Sequence, residues 1–322
     1  HSDIGYSVLG LRALAAEMAR DQPQPVLAAV AGYAAGLNAW LAEHGTDDLP
    51  SWCRGAGWIR PFSVEDLFCL YSDGAIMASS RNFARYIGSA SPPDGGSDPD
   101  PSQLDADDLP SGPGLGSNAW ALSGDRTISG RGMIMANPHF PWYGEARFWE
   151  AHLTVPGELD VYGASLVGTP GIQMGFTEGV AWSHTFSRGH RFCLYRLALD
   201  EPTSYRYDDD LREMVAVDHD IDVLAGDGSL ATETFTRYSS HHGPIVDLPI
   251  LGWSNDTAYA LRDANLGNDR FLHQFLEMNR AQSVDELRDA LHRVQGIPWV
   301  NTIAADSEGQ TYYADTSTAP AL

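Results

Sequence analysis

Gly112-Pro113-Gly114-Leu115-Gly116-Ser117-Asn118-Ala119-Trp120 is where this 322-residue chain changes character. The preceding stretch, SPPDGGSDPDPSQLDADDLPSGPGLG from Ser91 to Gly116, is rich in Pro, Gly and Asp, has no basic residue and has almost no large apolar side chain. Such a segment buries too little surface to offset the entropy of ordering it, so residues 91–116 are expected to be an acidic linker or spacer. From Ser117 onward the pattern is that of short strands. Trp149, Ala151, Leu153 and Val155 share one face, Phe192 and Leu194 mark another strand, and turn signals recur at Gly124-Asp125, Pro156-Gly157, Pro170-Gly171 and Gly226-Asp227-Gly228. Antiparallel sheet is expected to dominate residues 117–322.

Upstream of the linker, residues 1–90 read as helical. Leu11, Leu14, Ala15 and Met18 fall on one face, a second apolar run extends from Val26 through Trp40, and a third helix starts at Ser63, where Ser63 and Asp66 have capping-box spacing ahead of Leu67, Leu70 and Tyr71. A further helix is expected near the end, opened by Ser283 and Glu286 and carrying Leu287, Leu291 and Val294; it leads into the strand-like run Trp299 to Ala304. The fold class is therefore α+β. The chain ends at Leu322 just after another strand-like run with no closing element in view, so it is expected to be truncated at that end.

With 20 basic against 43 acidic residues the formal charge is −23, which repels phosphate backbones and anionic lipid surfaces and argues against nucleic acid or a membrane as partner. No unbroken apolar run reaches the roughly 20 residues that span a bilayer, and His1-Ser2-Asp3 does not open a signal-peptide pattern. The three cysteines, Cys53, Cys69 and Cys193, allow at most one disulfide within the chain; Cys53 with Cys69 is the natural pair, and three free thiols is the equal alternative.

The search for chemistry excludes several devices. HExxH, paired CxxC, GxxxxGK[ST], GxGxxG and the GxSxG elbow are all absent. No metal and no cofactor is expected. Read as neighbouring strand residues, His241 and His242 point to opposite faces and cannot easily share an ion, and Asp208, Asp209 and Asp210 lack the fixed spacing of a calcium loop and read as a solvated turn. What remains is Ser117. Attack of its Oγ on the Gly116 carbonyl would turn the peptide into an ester that water hydrolyses, leaving Ser117 as a new chain start, and glycine offers no side chain to obstruct that attack. The freed α-amine, with a reference pKa of about 7.7 to 8.0, could then serve as base for its own hydroxyl. Taken alone, Gly-Ser at a linker edge more often signals flexibility.

Four ordered motifs strengthen the case: Ser117-Asn118-Ala119-Trp120, Ala136-Asn137-Pro138-His139-Phe140-Pro141-Trp142, Trp182-Ser183-His184-Thr185, and Pro298-Trp299-Val300-Asn301-Thr302-Ile303-Ala304-Ala305-Asp306. With Gly32 to Trp40 in the helical part, they resemble the penicillin acylase family, most closely its acyl-homoserine lactone acylase and aculeacin-type branch. The resemblance implies an N-terminal-nucleophile αββα sandwich, with a helical α-chain segment, an excised spacer and a β-chain that begins at the catalytic serine. On that reading Gly116 and Ser117 flank the autocleavage site and the products of one precursor form a heterodimer. Ser117 is the nucleophile, His139 orients it, and the Phe186 backbone N–H is one oxyanion donor. The family's second donor, an asparagine well downstream, has no match here; Asn301 belongs to an earlier motif and reads as a strand residue that satisfies its neighbours. Relatives often carry a small residue or valine where Phe186 stands, so Phe186 is expected either to narrow the acyl pocket or simply to pack in the core.

Candidate pocket residues are Phe140, Trp142, Phe176, Trp182 and Phe186. Ser187-Arg188-Gly189-His190-Arg191 occupies the place where the penicillin G branch holds calcium ligands, which argues against that ion. The implied reaction is hydrolysis of an N-acylated small molecule, such as an acyl-homoserine lactone or lipopeptide, in the periplasm or outside the cell. The alternatives are a β-lactam acylase of the same family, a conventional Ser-His-Asp hydrolase built on Ser165 or Ser183 with His184 or His152, and a non-catalytic secreted β-rich binding protein.

Overall fold

The computed structural model describes residues 1–93, 116–249 and 251–320, so most of the stretch expected to be a linker lies outside the described residues. The first part is helical, as its periodicity implies: α1 (Ser2–Leu9), α2 (Leu11–Asp21), α3 (Gln24–His44), α4 (Val64–Ala75) and α5 (Ala84–Ser89). Helix α4 starts where its cap residues place it. The Asp66 N–H donates to Ser63 Oγ at 3.1 Å and the Ser63 N–H donates to Asp66 Oδ2 at 2.9 Å, a reciprocal capping box. Over its most apolar 18 residues the 21-residue helix α3 has a mean hydropathy of 1.4, long and apolar enough to cross a membrane by length and composition, although Gln24, Asn38 and Glu43 break any continuous apolar run. Val26, Val30 and Ala34 put one of its faces into the core.

The remainder comprises strands β1 (Gly116–Leu122), β2 (Met133–His139), β3 (Phe148–Val155), β4 (Leu159–Leu166), β5 (Met174–Phe176), β6 (Val180–Phe186), β7 (Phe192–Glu201), β8 (Ser204–Tyr207), β9 (Asp210–Glu213), β10 (Val215–Leu224), β11 (Leu230–Ser240), β12 (Gly243–Val246), β13 (Thr257–Asp263), β14 (Val300–Asp306) and β15 (Thr311–Asp315), with α6 (Phe271–Met278) and α7 (Val284–Val294) before β14. They form an antiparallel hairpin β1-β2, a sheet in the order β10-β11-β12-β13-β7-β8-β9 and a sheet in the order β15-β14-β6-β5-β4-β3. Helix α6 was not foreseen. Its short apolar stripe, Phe271, Leu272, Phe275 and Leu276, is buried, but eight residues make a weak periodic signal.

Alternation along β6 and β14 divides the six-stranded sheet into two faces. Their register aligns Phe186 with Val300, His184 with Thr302 and Trp182 with Ala304. These residues face the helices, where Phe275 of α6 packs edge-on to His184. The opposite face carries Ala181, Ser183 and Ala305, and the β1-β2 hairpin lies across it: the Gly132 N–H donates to the Asp306 carbonyl at 2.9 Å and a Cβ at Gly132 would lie 3.0 Å from that of Ala305. Helix, sheet and hairpin thus follow one another as in the expected sandwich.

Helices and sheet share one core, in which Val30, Leu67 and Phe68 join Trp182, Phe271, Leu291 and Trp299. Polar ties cross between them. Tyr71 Oη donates to the Gly168 carbonyl (3.0 Å), Trp299 Nε1 to the Gly74 carbonyl (2.9 Å), Gln22 Nε2 to the Asp269 carbonyl (2.9 Å) and Arg237 Nε to the Gly88 carbonyl (2.9 Å). Helices α1 and α5 touch backbone to backbone: a Cβ on Gly5 would lie 1.8 Å from the Ala84 carbonyl oxygen, and one on Gly88 1.8 Å from that of His1. Cys53, Cys69 and Cys193 are all free thiols, so the expected pairing of Cys53 with Cys69 is not formed.

Asp306 joins three elements at the end of β14. Only 3% exposed, it accepts from the Val284 N–H at the start of α7 (3.0 Å) and from the Glu308 and Gln310 N–H groups of the β14-β15 turn (3.1 and 2.8 Å). Its charge also sits at the positive end of α7. Asp306→Ala strands three main-chain donors and is expected to lower stability by about 3 kcal/mol, measured by urea denaturation; a loss below about 1 kcal/mol would show that water replaces the carboxylate.

Candidate active site

Ser117 is the second residue of β1 and is half-buried. In the hairpin register it stands opposite Pro138, with Gly116 opposite His139 and Asn118 opposite Asn137. Proline has no N–H, so Ser117 and Pro138 must be a non-hydrogen-bonded pair of the antiparallel ladder, and the Ser117 N–H and C=O point away from β2. The nitrogen that would become the free amine is thereby left out of the sheet. The Ser117 hydroxyl donates to the carbonyl oxygen of Gly116, which holds Oγ beside the Gly116–Ser117 peptide bond.

His139 closes β2 next to this bond. Its Nδ1 lies 3.3 Å from where a Cβ on Gly116 would stand, so any larger residue there would crowd the imidazole, and its Nε2 lies 3.0 Å from Asn118 Nδ2. Nδ2 can only donate, so Nε2 accepts and the ring is oriented with its proton on Nδ1, towards Gly116.

Phe186 ends β6. The Ser187 N–H donates to the Trp299 carbonyl at 3.0 Å, which makes Phe186 and Val300 a non-hydrogen-bonded pair and turns the Phe186 N–H away from β14. On the other side, β5 pairs with β6 only through Gly175–Trp182 and Phe176–Ala181, well short of Phe186. Its ring lies 5.8 Å from that of Trp299, with the Arg191 guanidinium 5.2 Å from the ring centre. The Asn301 Nδ2 donates to Thr185 Oγ1 (3.0 Å) and to the Phe186 carbonyl (3.3 Å), so this asparagine is engaged within its own sheet.

Ser117, Phe140 and Phe186 line one cavity of about 40 Å³, together with Phe148, His184, Phe271, Phe275 and Trp299. By the usual requirement for hydrating a cavity this is room for roughly three waters. Phe140 is held between Phe148 (5.1 Å) and Trp299 (6.1 Å). The other pocket candidates are elsewhere. Trp142 is 88% exposed beyond the end of β2, Phe176 is 51% exposed against Tyr162, and Trp182 is buried with its Nε1 on the Gln173 carbonyl. Trp182 shares a face with Phe186, but four residues along a strand is about 13 Å. Phe271 and Phe275 were missed with the helix that carries them.

A Ser-His-Asp arrangement on the serines considered above is not formed. Ser165 donates to the Gly171 carbonyl and accepts from the Gln173 N–H (2.9 Å). Ser183 faces the side of β6 opposite His184. His152 pairs with Asp160 at 2.5 Å on an exposed surface. His241 and His242 correct the strand reading: they occupy the turn between β11 and β12 with their ring centres 3.8 Å apart and tilted by 40°, one bonded to Tyr205 Oη (2.8 Å) and the other stacked on Tyr195. Asp208 and Asp209 form the β8-β9 turn. Among the described residues no group of three or more His, Cys, Asp or Glu side chains is placed to hold a metal ion.

A family model described as penicillin amidase matches residues 1–322. Acyl-homoserine lactone acylase PvdQ of Pseudomonas fluorescens is 44% identical over 308 residues, which is 93% of this chain and 39% of that protein. Aculeacin-A acylase of Actinoplanes utahensis is 39% identical over 300 residues, covering 90% of this chain and 37% of that protein. The chain thus spans about two fifths of the length of these relatives. Among solved structures, a thermostable penicillin G acylase from Alcaligenes faecalis superposes with a TM-score of 0.53 at 22% identity, over 62% of this chain and 35% of its own, which supports the fold. The N-terminal-nucleophile sandwich expected from the motifs is borne out, and the chain belongs to the penicillin amidase family.

Proposed function

We propose that this chain is the nucleophile-bearing portion of an acylase that hydrolyses the amide bond of an N-acylated small molecule, an acyl-homoserine lactone or a lipopeptide. The observation that carries the reading is the placement of Ser117: its N–H is excluded from the β1-β2 ladder and its side chain lies at an apolar cavity. Ser117 Oγ attacks the Gly116 carbonyl carbon, the peptide C–N bond breaks to give an ester, and water hydrolyses the ester to release the Gly116 carboxylate and a free Ser117 amine. In turnover that amine takes the hydroxyl proton, Oγ attacks the substrate carbonyl, and the Phe186 N–H stabilises the oxyanion. The proton passes to the leaving amine, and water then frees the acid from the acyl-enzyme.

Residues 1–90 on this reading are the α-chain segment, 91–116 the excised spacer and 117–322 the start of the β-chain, the two chains forming a heterodimer in the periplasm or outside the cell. The similarity to acylases named for acyl-homoserine lactones and aculeacin A favours these substrates over β-lactams. With Phe186 in its present position the cavity suits a short acyl group, and a long one requires that ring to turn. N-terminal sequencing and intact-mass measurement of the mature full-length protein test the scheme. A β-chain beginning Ser-Asn-Ala-Trp is expected; an active protein with an unbroken peptide between residues 116 and 117 refutes it.

A further inference from the structure

The loop of residues 187–191 carries the chain from β6 in the six-stranded sheet to β7 in the seven-stranded one, and both of its ends are tied down. At its start the Ser187 N–H is held by the Trp299 carbonyl (3.0 Å); at its end the Arg191 carbonyl accepts the Ala264 N–H (2.9 Å). The Arg191 side chain reaches back along the loop. It is 7% exposed, its Nη2 donates to the Ser187 carbonyl, and its guanidinium lies 5.2 Å from the centre of the Phe186 ring. Burial pulls the guanidinium pKa down, and the charges of Asp315 at the end of β15 and Asp263 at the end of β13 oppose it, so one buried cation is matched from both sheets. Both carboxylates are braced in turn, Asp315 by Ser187 Oγ (2.6 Å) and Asp263 by the Ser80 N–H (2.9 Å). Arg191 Nε is left without a hydrogen-bond partner. Among the described residues, the one hydrogen bond gained from burying this cation is the bond to the Ser187 carbonyl.

That carbonyl belongs to the second peptide group beyond the one that carries the Phe186 N–H. The group between them is fixed as well, its carbonyl by Asn301 Nδ2 (3.3 Å) and its N–H by Trp299. We propose that Arg191 is a positioning residue of the acylase site: by holding the Ser187 carbonyl, its guanidinium fixes the main chain at the end of β6 and so aims the Phe186 N–H at the substrate oxyanion. The proposal rests on the acylase reading, in which that N–H is an oxyanion donor, and extends it to a side chain that does not touch the substrate. An oxyanion donor acts through its direction at the moment charge develops, so loss of Arg191 falls on kcat and leaves ground-state binding nearly as it was.

The test uses the mature full-length protein and N-hexanoyl-homoserine lactone, with turnover counted per β-chain that begins at Ser117. Arg191→Met fills similar space without charge or donor, and exchanging a buried ion for an apolar side chain commonly leaves a fold stable. It is expected to lower kcat on the order of tenfold with KM within about threefold of wild type; Arg191→Lys, which keeps the charge and a donor, should recover part of the loss. The same Met exchange made in Phe186→Val, which lacks the ring but keeps the main chain, should cost kcat a similar factor. A loss that vanishes in that background, or one confined to KM, overturns the assignment, because Arg191 would then support only the ring or the pocket. Should Arg191→Met fail to fold, Arg191→Gln is judged by the same kcat. Wild-type kcat in the folded variant overturns the role of Arg191 and leaves the acylase reading standing. If the wild-type protein hydrolyses no N-acyl amide, that reading falls and the role of Arg191 falls with it.

Discussion

Ser117→Ala is expected to leave the Gly116–Ser117 peptide bond uncut and to lower hydrolysis of an N-acyl amide by at least about 10⁴-fold. On the proposed scheme one atom, Oγ, serves both reactions, so its removal should abolish maturation and turnover together. The fold has little reason to respond. Ala119 and Ala121 already stand at the half-buried positions of the same strand face, and Ser117 Oγ bonds only its neighbouring carbonyl. Intact mass reports the cut, acid release reports the activity, and a thermal melt close to wild type confirms that the protein is folded. A variant that is still cut at this bond and still active would place the nucleophile elsewhere.

Phe186→Pro is expected to lower kcat by about 10² to 10³-fold, the effect of removing one oxyanion donor. The substitution works on the main chain. Because Phe186 and Val300 are a non-hydrogen-bonded pair, proline removes no bond from the β6-β14 ladder, and the extended conformation of Thr185 suits a residue that precedes proline. Phe186→Val is the companion, since it keeps the N–H and removes the ring; its effect should fall on acyl-chain preference, with kcat for a short acyl group within about a few-fold of wild type. Equal kcat losses in the two variants would assign the effect to the ring and dismiss the main-chain donor.

What the sequence disclosed, it disclosed through local physics. Ser63 with Asp66 fixes the start of α4 by a hydrogen-bond exchange within four residues, and the β3 alternation follows from strand geometry. Even there one partner changed: Ser283 caps α7 through the Glu286 N–H, but the Glu286 carboxylate binds the Gln282 N–H rather than that of Ser283. The site was legible where its residues lie inside motifs. Pro138 carried more information than its turn-like look suggested, because a missing N–H dictates the parity of the ladder around Ser117. The pocket was legible only in part. Phe140 and Trp142 are two residues apart, but the strand stops before both, at His139, so alternation gives no guide to where either ring points. Phe271 and Phe275 reach the cavity through tertiary packing of a helix too short to announce itself.

The core that Val30, Leu67 and Phe68 build with Trp182 and Trp299, and the ties from Tyr71, Gln22 and Arg237 across it, have a consequence for any break in the chain between the helices and β1. Before the break, the two parts meet at the effective concentration set by their tether; after it, their union becomes bimolecular and subject to mass action. Apolar surface shared on this scale keeps such pieces together at high dilution, yet once unfolded and separated they must find each other again by diffusion. Refolding of the cut form therefore slows as the protein is diluted, whereas that of the uncut precursor does not.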